Sequence, residues 1–176
     1  NQQFGEAARG FQECLQKDPD NRLILFLGIN MLMKDSQSAE ALKLMQALDS
    51  KPHGLPMEYI EYLRGEALME RGDYVPAILA YQKFLKNFKS QSYRKDSHYK
   101  IGLCYFLSGN VSSAKKYFEI AKKTGKITAD PDKYAAAMLE EGTFPNPKIL
   151  KVRFYTDGGY YKEAREMLKS ITPADL

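Results

Sequence analysis

Residues 65–85 read GEALMERGDYVPAILAYQKFL, and this stretch decides the fold. Ahead of Arg71 lies an apolar helical pattern containing Gly65, and Gly72-Asp73-Tyr74 then marks a stop and reversal. Beyond the turn, Ala77, Tyr81 and Phe84 stand at offsets of four and three, which puts them on one face of a second helix. The stretch is a helical hairpin. Working outward, the same arrangement recurs. Gly28, Gly65 and Gly102 follow one another at intervals of 37 residues. The trio of Ala77, Tyr81 and Phe84 is repeated as Ala7/Phe11/Cys14, Ala41/Met45/Leu48, Ala114/Phe118/Ala121 and Ala164/Leu168/Ile171.

Turn signals separate the two helices of other pairs as well. Ser108-Gly109-Asn110 and Asp157-Gly158-Gly159-Tyr160 place Gly where a helix must end, and Lys34-Asp35-Ser36 does the same with Asp and Ser. One hairpin cannot bury its apolar stripe alone, so successive hairpins must stack to form a continuous core. The gap between Ala114 and Ala164 is wider than the repeat and holds an insertion. Within it, Asp130-Pro131 reads as a helix start with Asp at the N-cap and Pro in the first turn, which predicts an extra helix over 130–141. Asn146-Pro147 starts the last pair by the same logic.

The stretch Gly65…Gly72-Asp73-Tyr74…Ala77-Ile78…Tyr81-Gln82-Lys83…Leu85 closely resembles a tetratricopeptide repeat. Ile101-Gly102…Tyr105…Gly109…Ala114…Phe118…Ala121 is a second copy, and Ala7…Phe11…Cys14-Leu15…Asp18-Pro19 resembles the second helix of another. The segment around 21–52 is a copy without the Gly-Asp-aromatic turn, and 147–171 is one without the first-helix Gly. The resemblance implies an all-α, right-handed superhelical solenoid of antiparallel helix pairs, about ten helices in one domain over 1–176. Its units are a half repeat at 1–20, repeats at 21–52, 58–90 and 95–126, the extra helix at 130–141, and a repeat at 147–171. The tail from Lys151 to Ala164 is similar to tetratricopeptide proteins of bacterial surface or envelope systems.

Composition agrees with a packed domain: 44% of the 176 residues are hydrophobic and 27% charged. The longest mostly apolar run, from Leu23 to Met33, is well short of the ~20 residues a membrane helix needs. The opening at Asn1 carries no basic and apolar leader pattern, which suggests a processed chain or a cut fragment. Charge is uneven. Lys83 to Lys126 holds eleven cations against Asp96 and Glu119 alone, although the chain as a whole is only +4. Such a face either is solvated or meets an acidic surface.

Motifs for chemistry are scarce. His53 and His98 have no partner at metal-ligand spacing, so no metal site is expected. Cys14 and Cys104 sit where the repeat places small apolar residues and read as buried, inert thiols. There is no GxSxG, P-loop or GxGxxG, so no cofactor is expected. Glu163 and Glu166 alternate with Lys162 and Lys169 on a solvated helix face. The chain does not read as an enzyme.

The resemblance implies a binding role instead, because in this family the first helices of successive pairs line a concave groove. The groove residues would be Leu25 and Ile29, then Tyr59, Tyr62, Glu66 and Met69, then Tyr99, Leu103 and Phe106, with Arg153 from the last pair. Large aromatics and Met on such a surface suit an apolar anchor from a protein partner, a peptide or helix. The inserted helix could fill the groove instead. Tetratricopeptide domains that clamp chaperone tails carry Lys and Asn on these helices, whereas Leu25/Ile29, Tyr62/Glu66 and Tyr99/Leu103 offer no cation or amide. The alternative is an electrostatic adaptor meeting nucleic acid or anionic membrane through the 83–126 face; nucleic acid is the less favoured. A homodimer through the N-terminal helix, from Phe4 to Leu15, would cover the face that lacks its pairing helix. Compartment, cytoplasmic or periplasmic, is not encoded in these features.

Overall fold

The computed structural model describes residues 2–50, 58–124, 126–142, 144 and 146–175. Among them are ten α-helices and one short 3-10 turn, with no strand. α1 (Gln2–Lys17) packs on α2 (Arg22–Lys34), α2 on α3 (Ser38–Asp49), and α3 on α4 (Glu58–Arg71). The series continues through α5 (Tyr74–Asn87), α6 (Arg94–Leu107) and α7 (Val111–Lys123), each on its predecessor. This is an all-α repeat solenoid.

The repeated trios explain why the helices pack this way. All members of the three central trios are buried, so each second helix presents a small residue followed by a large one to the core. The small residue lets two backbones approach. A Cβ on Gly65 would lie 2.6 Å from Tyr81 Cε1, and one on Gly102 would lie 2.5 Å from Phe118 Cε1. In the first pair the equivalent distance, Gly28 to Leu44 Cδ1, is an ordinary 3.4 Å. Ala114 is 1% exposed, so Ala114→Leu should overpack the α6–α7 contact and cost ~1–3 kcal/mol. Thermal melting checks this; a variant that melted with the wild type would contradict the packing.

At the two ends the trio loses its neighbour and its burial. Leu168 is exposed and Ile171 half-buried, while Phe11 and Leu15 cover only the Gly28 side of α2. Cys14 corrects the expectation of two buried thiols: it is exposed, because no further helix lies on its side of α1 among the described residues. Cys104 is buried as expected.

Helix ends follow their local chemistry. Asn21, Asn110 and Asn146 accept from the backbone N–H of Ile24, Ser113 and Lys148 at 3.1, 3.0 and 2.9 Å. Where the first pair lacks Gly in its turn, Ser36 takes the left-handed conformation itself, at φ 55°.

Beyond α7 the chain departs from regular stacking. α8 (Asp130–Glu141) packs chiefly on α6 and only lightly on α7. Asp130 is not its N-cap, as the sequence suggested; Ala129 holds that place and Asp130 pairs with Lys133 at 2.8 Å. Asp132 does the long-range work. Fully buried, it accepts from the backbone N–H of Tyr93 (2.9 Å) and Asp96 (3.1 Å), capping the start of α6 from another helix.

α9 (Pro147–Asp157) then crosses back to pack on α4 and α6, with α10 (Tyr161–Lys169) behind it. The turn between them reaches the first full pair. Ser38 N–H donates to the Gly158 carbonyl at 3.3 Å, a Cβ on Gly158 would lie 2.7 Å from Glu70 Cβ, and one on Gly159 only 2.0 Å from Ser36 O. Two apolar cores result, one over α2 to α6 and one over α6 to α9; Phe154, Tyr74 and Tyr105 touch both.

Candidate functional site

The returning helices leave a cavity of ≈ 340 Å³ between α4, α6, α8 and α9. α4 contributes Glu66, Met69 and Glu70, and α6 contributes Asp96, Tyr99, Lys100 and Leu103. From α8 come Tyr134 and Met138, and from α9 Leu150, Arg153, Phe154 and Asp157. The α4 and α6 residues recur at three- and four-residue steps, so each helix turns one face to the cavity.

Beneath its floor runs a polar network. Lys100 Nζ donates to Asp96 Oδ2 (2.9 Å), Glu66 Oε2 (2.6 Å) and Tyr62 OH (3.0 Å). Tyr62 OH donates to Asp96 Oδ2 at 2.7 Å, and Tyr81 OH donates to Glu66 Oε1. Burial disfavours the Lys100 charge, but Asp96 and Glu66 outweigh it and hold the amine protonated well above its ordinary range. Burial lifts the Tyr62 phenol well above its ordinary value, reinforced by the Glu66 charge. Asp96 is also pushed up by burial, against the pull of Lys100. These groups answer one another, which is the arrangement of a positioning network rather than of a poised acid or base.

Glu70 is different. Its carboxyl accepts from Ser38 Oγ, yet burial, with Glu66 and Asp157 nearby, raises its pKa from 4.5 to about 8, only partly offset by Ser38 and Lys100. The folded protein therefore holds a proton that the unfolded chain releases. The contribution to stability is whole below pH 4.5 and declines as pH climbs through about 8. The melting temperature should fall over this window, and Glu70→Gln should flatten that dependence. Equal slopes in the two proteins, measured by melting from pH 5 to 9, would contradict it.

Of the residues expected in a groove, Glu66, Met69, Tyr99, Leu103 and Arg153 line this one cavity. Leu25 and Ile29 do not; both are buried in the first core. Tyr59 is half-buried and stacks on Tyr62 at 5.5 Å between ring centroids, while Phe106 packs toward Phe144 at 5.8 Å. Tyr62 and Tyr99, expected on the surface of a groove, are instead buried, each 3% exposed. Tyr62 lies under aromatic neighbours Tyr93 and Phe84, and the returning helices close over the face that holds Tyr99. The inserted helix thus takes part of the groove. Sequence reasoning missed Asp96 and Lys100, although they stand four residues apart on the α6 face.

The cation-rich stretch is partly spent inside the fold. Lys95 donates to the Ala121 and Lys122 carbonyls at 2.7 and 3.2 Å, Arg94 to those of Leu85 and Phe88, and Lys83 pairs with Glu61 at 2.7 Å. His98 packs beside Tyr117 of its own pair rather than a neighbouring one, and burial with Arg94 nearby lowers its pKa to about 4. His53 and the Phe4 side chain lie outside the described residues. Among the described residues no helix is long and apolar enough to cross a membrane.

The tetratricopeptide repeat family model matches residues 59–90 and 96–124. These two helix pairs are tetratricopeptide repeats. Two solved structures resemble the whole chain. One is described as "Crystal structure of MamA", at 20% identity and a TM-score of 0.59, covering 95% of this chain and 90% of that one. The other, "Crystal structure of MamA protein", stands at 20% and 0.57, covering 95% and 80%. At that identity the likeness concerns the fold alone. A comparison with curated proteins finds no match. Tetratricopeptide repeats with this fold support a protein-interaction scaffold in general.

Proposed function

We propose that this chain is a non-enzymatic scaffold that receives a segment of a protein partner at the cavity between α4, α6, α8 and α9. The observation that carries the reading is the convergence there of Glu66, Met69, Tyr99, Leu103 and Arg153, five residues from three helices that are far apart in sequence. An apolar interior with an aromatic and Arg rim is the composition of energetic centres in protein interfaces. The cavity falls within the ~300–1,000 Å³ of ordinary binding pockets. A whole helix, ~10–12 Å across, would need the space that α8 and α9 occupy, so the occupant is a short segment or a few side chains. The electrostatic reading is the weaker one, since Arg94, Lys95 and Lys100 already hold partners within the fold.

Photo-cross-linking tests the proposal. Tyr134 is 45% exposed at the cavity, and Val75 is 66% exposed on α5 away from it. A cross-linking amino acid at position 134 should capture a protein partner, and one at 75 should not. Capture at 75 and never at 134 would overturn the reading.

A further inference from the structure

The cations not spent inside the fold gather on two helices. On α5, Val75, Leu79 and Lys86 stand opposite the buried trio of Ala77, Tyr81 and Phe84, and on α7 Lys116 and Lys123 stand opposite Ala114, Phe118 and Ala121. Gln82 Nε2 donates to Tyr117 OH at 3.1 Å, so the two helices lie side by side, away from the cavity that α4 and α6 line. Lys86, Lys115, Lys116 and Lys123 are exposed, and none of them has an ion pair or side-chain hydrogen bond among the described residues. α5 carries no acidic residue, and the single one of α7, Glu119, is held by Lys122 at 3.0 Å. Nor are these lysines needed at the helix ends. Arg94 donates to the Leu85 and Phe88 carbonyls and Lys95 to those of Ala121 and Lys122, so the C-termini of α5 and α7 are already met from α6. A second observation is independent of charge. Val75 at 66% and Leu79 at 62% are the two most exposed large apolar side chains among the described residues, and they stand one turn apart on the same crest.

We propose that the outer face of α5 and α7 docks on an anionic bilayer surface, Val75 and Leu79 entering the headgroup–acyl boundary while Lys86, Lys115, Lys116 and Lys123 meet lipid phosphates and carboxylates. Binding of a helix that lies on a membrane grows with its buried apolar area and with its attraction to anionic lipid, and this face supplies both. Nucleic acid fits it less well. A phosphate backbone would leave the two aliphatic side chains unused, and neither helix has an arginine fork or an exposed aromatic ring on which a base could stack. Because the face lies away from the cavity, docking leaves the cavity free for a protein segment.

The chain has no Trp, so a single one introduced at a chosen site reports its own surroundings. Leu79→Trp and, as a control on α10, Leu168→Trp both alter exposed positions. Each is mixed with vesicles of phosphatidylcholine, alone or with one third phosphatidylserine. Emission from position 79 should shift to the blue on the anionic vesicles only, and emission from 168 should stay where it is. In cosedimentation, Lys116→Glu with Lys123→Glu should weaken binding to the anionic vesicles about tenfold or more, and Val75→Ser with Leu79→Ser should weaken it several-fold. No partition onto anionic vesicles, a blue shift at 168 and not at 79, or wild-type binding by the lysine variant would each overturn the proposal. A DNA duplex bound more tightly than the anionic vesicles, and equally by the Val75→Ser, Leu79→Ser variant, would overturn it in favour of nucleic acid.

Discussion

Lys100→Met should lower stability by about 3–5 kcal/mol, the largest effect of any single change discussed. Lys100 Nζ stands 2.9 Å from Asp96 and 2.6 Å from Glu66, and the Asp96 side chain is only 1% exposed. Removing the cation that bridges them leaves the Asp96 and Glu66 carboxylates with no charge to balance them, and burial has removed the water that would otherwise do so at Asp96. Lys122 offers a contrast. It pairs with Glu119 at 3.0 Å, but both side chains are about half exposed, so Lys122→Met should change stability by no more than ~1 kcal/mol. Asp96→Asn in the Lys100→Met background should recover part of the loss, because it removes one of the stranded charges. Denaturant titration of the four proteins decides it. A Lys100→Met chain as stable as the wild type would mean the network carries no structural weight.

Gly159→Val should release the C-terminal hairpin. Gly159 has φ 80°, a left-handed conformation that costs a side-chain-bearing residue roughly 1–2 kcal/mol. Its Cβ would also lie 2.0 Å from the Ser36 carbonyl oxygen, which belongs to backbone and cannot swing aside. Strain and clash together should cost ~2–5 kcal/mol, more than overpacking alone. The loss should be local at first. Faster amide exchange is expected in α9, α10 and the turn between α2 and α3, with α4 to α7 retaining their protection until global unfolding. Uniform acceleration across all helices would contradict a separable closing contact.

The parts of this molecule that were legible in the sequence are those governed by periodicity. Ala77, Tyr81 and Phe84 announce a buried face by their spacing alone, and the Gly turns announce where each helix must reverse. Long-range placement was not legible. Asp132 looks like an ordinary first-turn carboxylate of α8, and nothing nearby in sequence says that it caps α6 nearly forty residues upstream. The twin Gly158-Gly159 reads as a turn, whereas the structure uses the missing side chains to seat that turn against Glu70 and Ser36. This return path is what covers Tyr99 and narrows the groove. The pairs Tyr62/Glu66 and Asp96/Lys100, each four residues apart on a first helix, carried a signal of facing charged surfaces that the charge tally alone obscured.

The closing contact is the feature from which the cavity, the Glu70 environment and the covering of Tyr99 all follow, and one amide reports on it alone. Ser38 is the first residue of α3, so its N–H has no acceptor within that helix. Its partner is the Gly158 carbonyl, 3.3 Å away and 120 positions along the chain. Residue-resolved hydrogen exchange should find the Ser38 amide protected like the amides of the core, while Ala39 and Glu40 beside it exchange quickly. In Gly159→Val that protection should vanish. A Ser38 amide that exchanges as fast as Ala39 and Glu40 in the unaltered protein would contradict the account, because the C-terminal hairpin would then not close onto the first full pair.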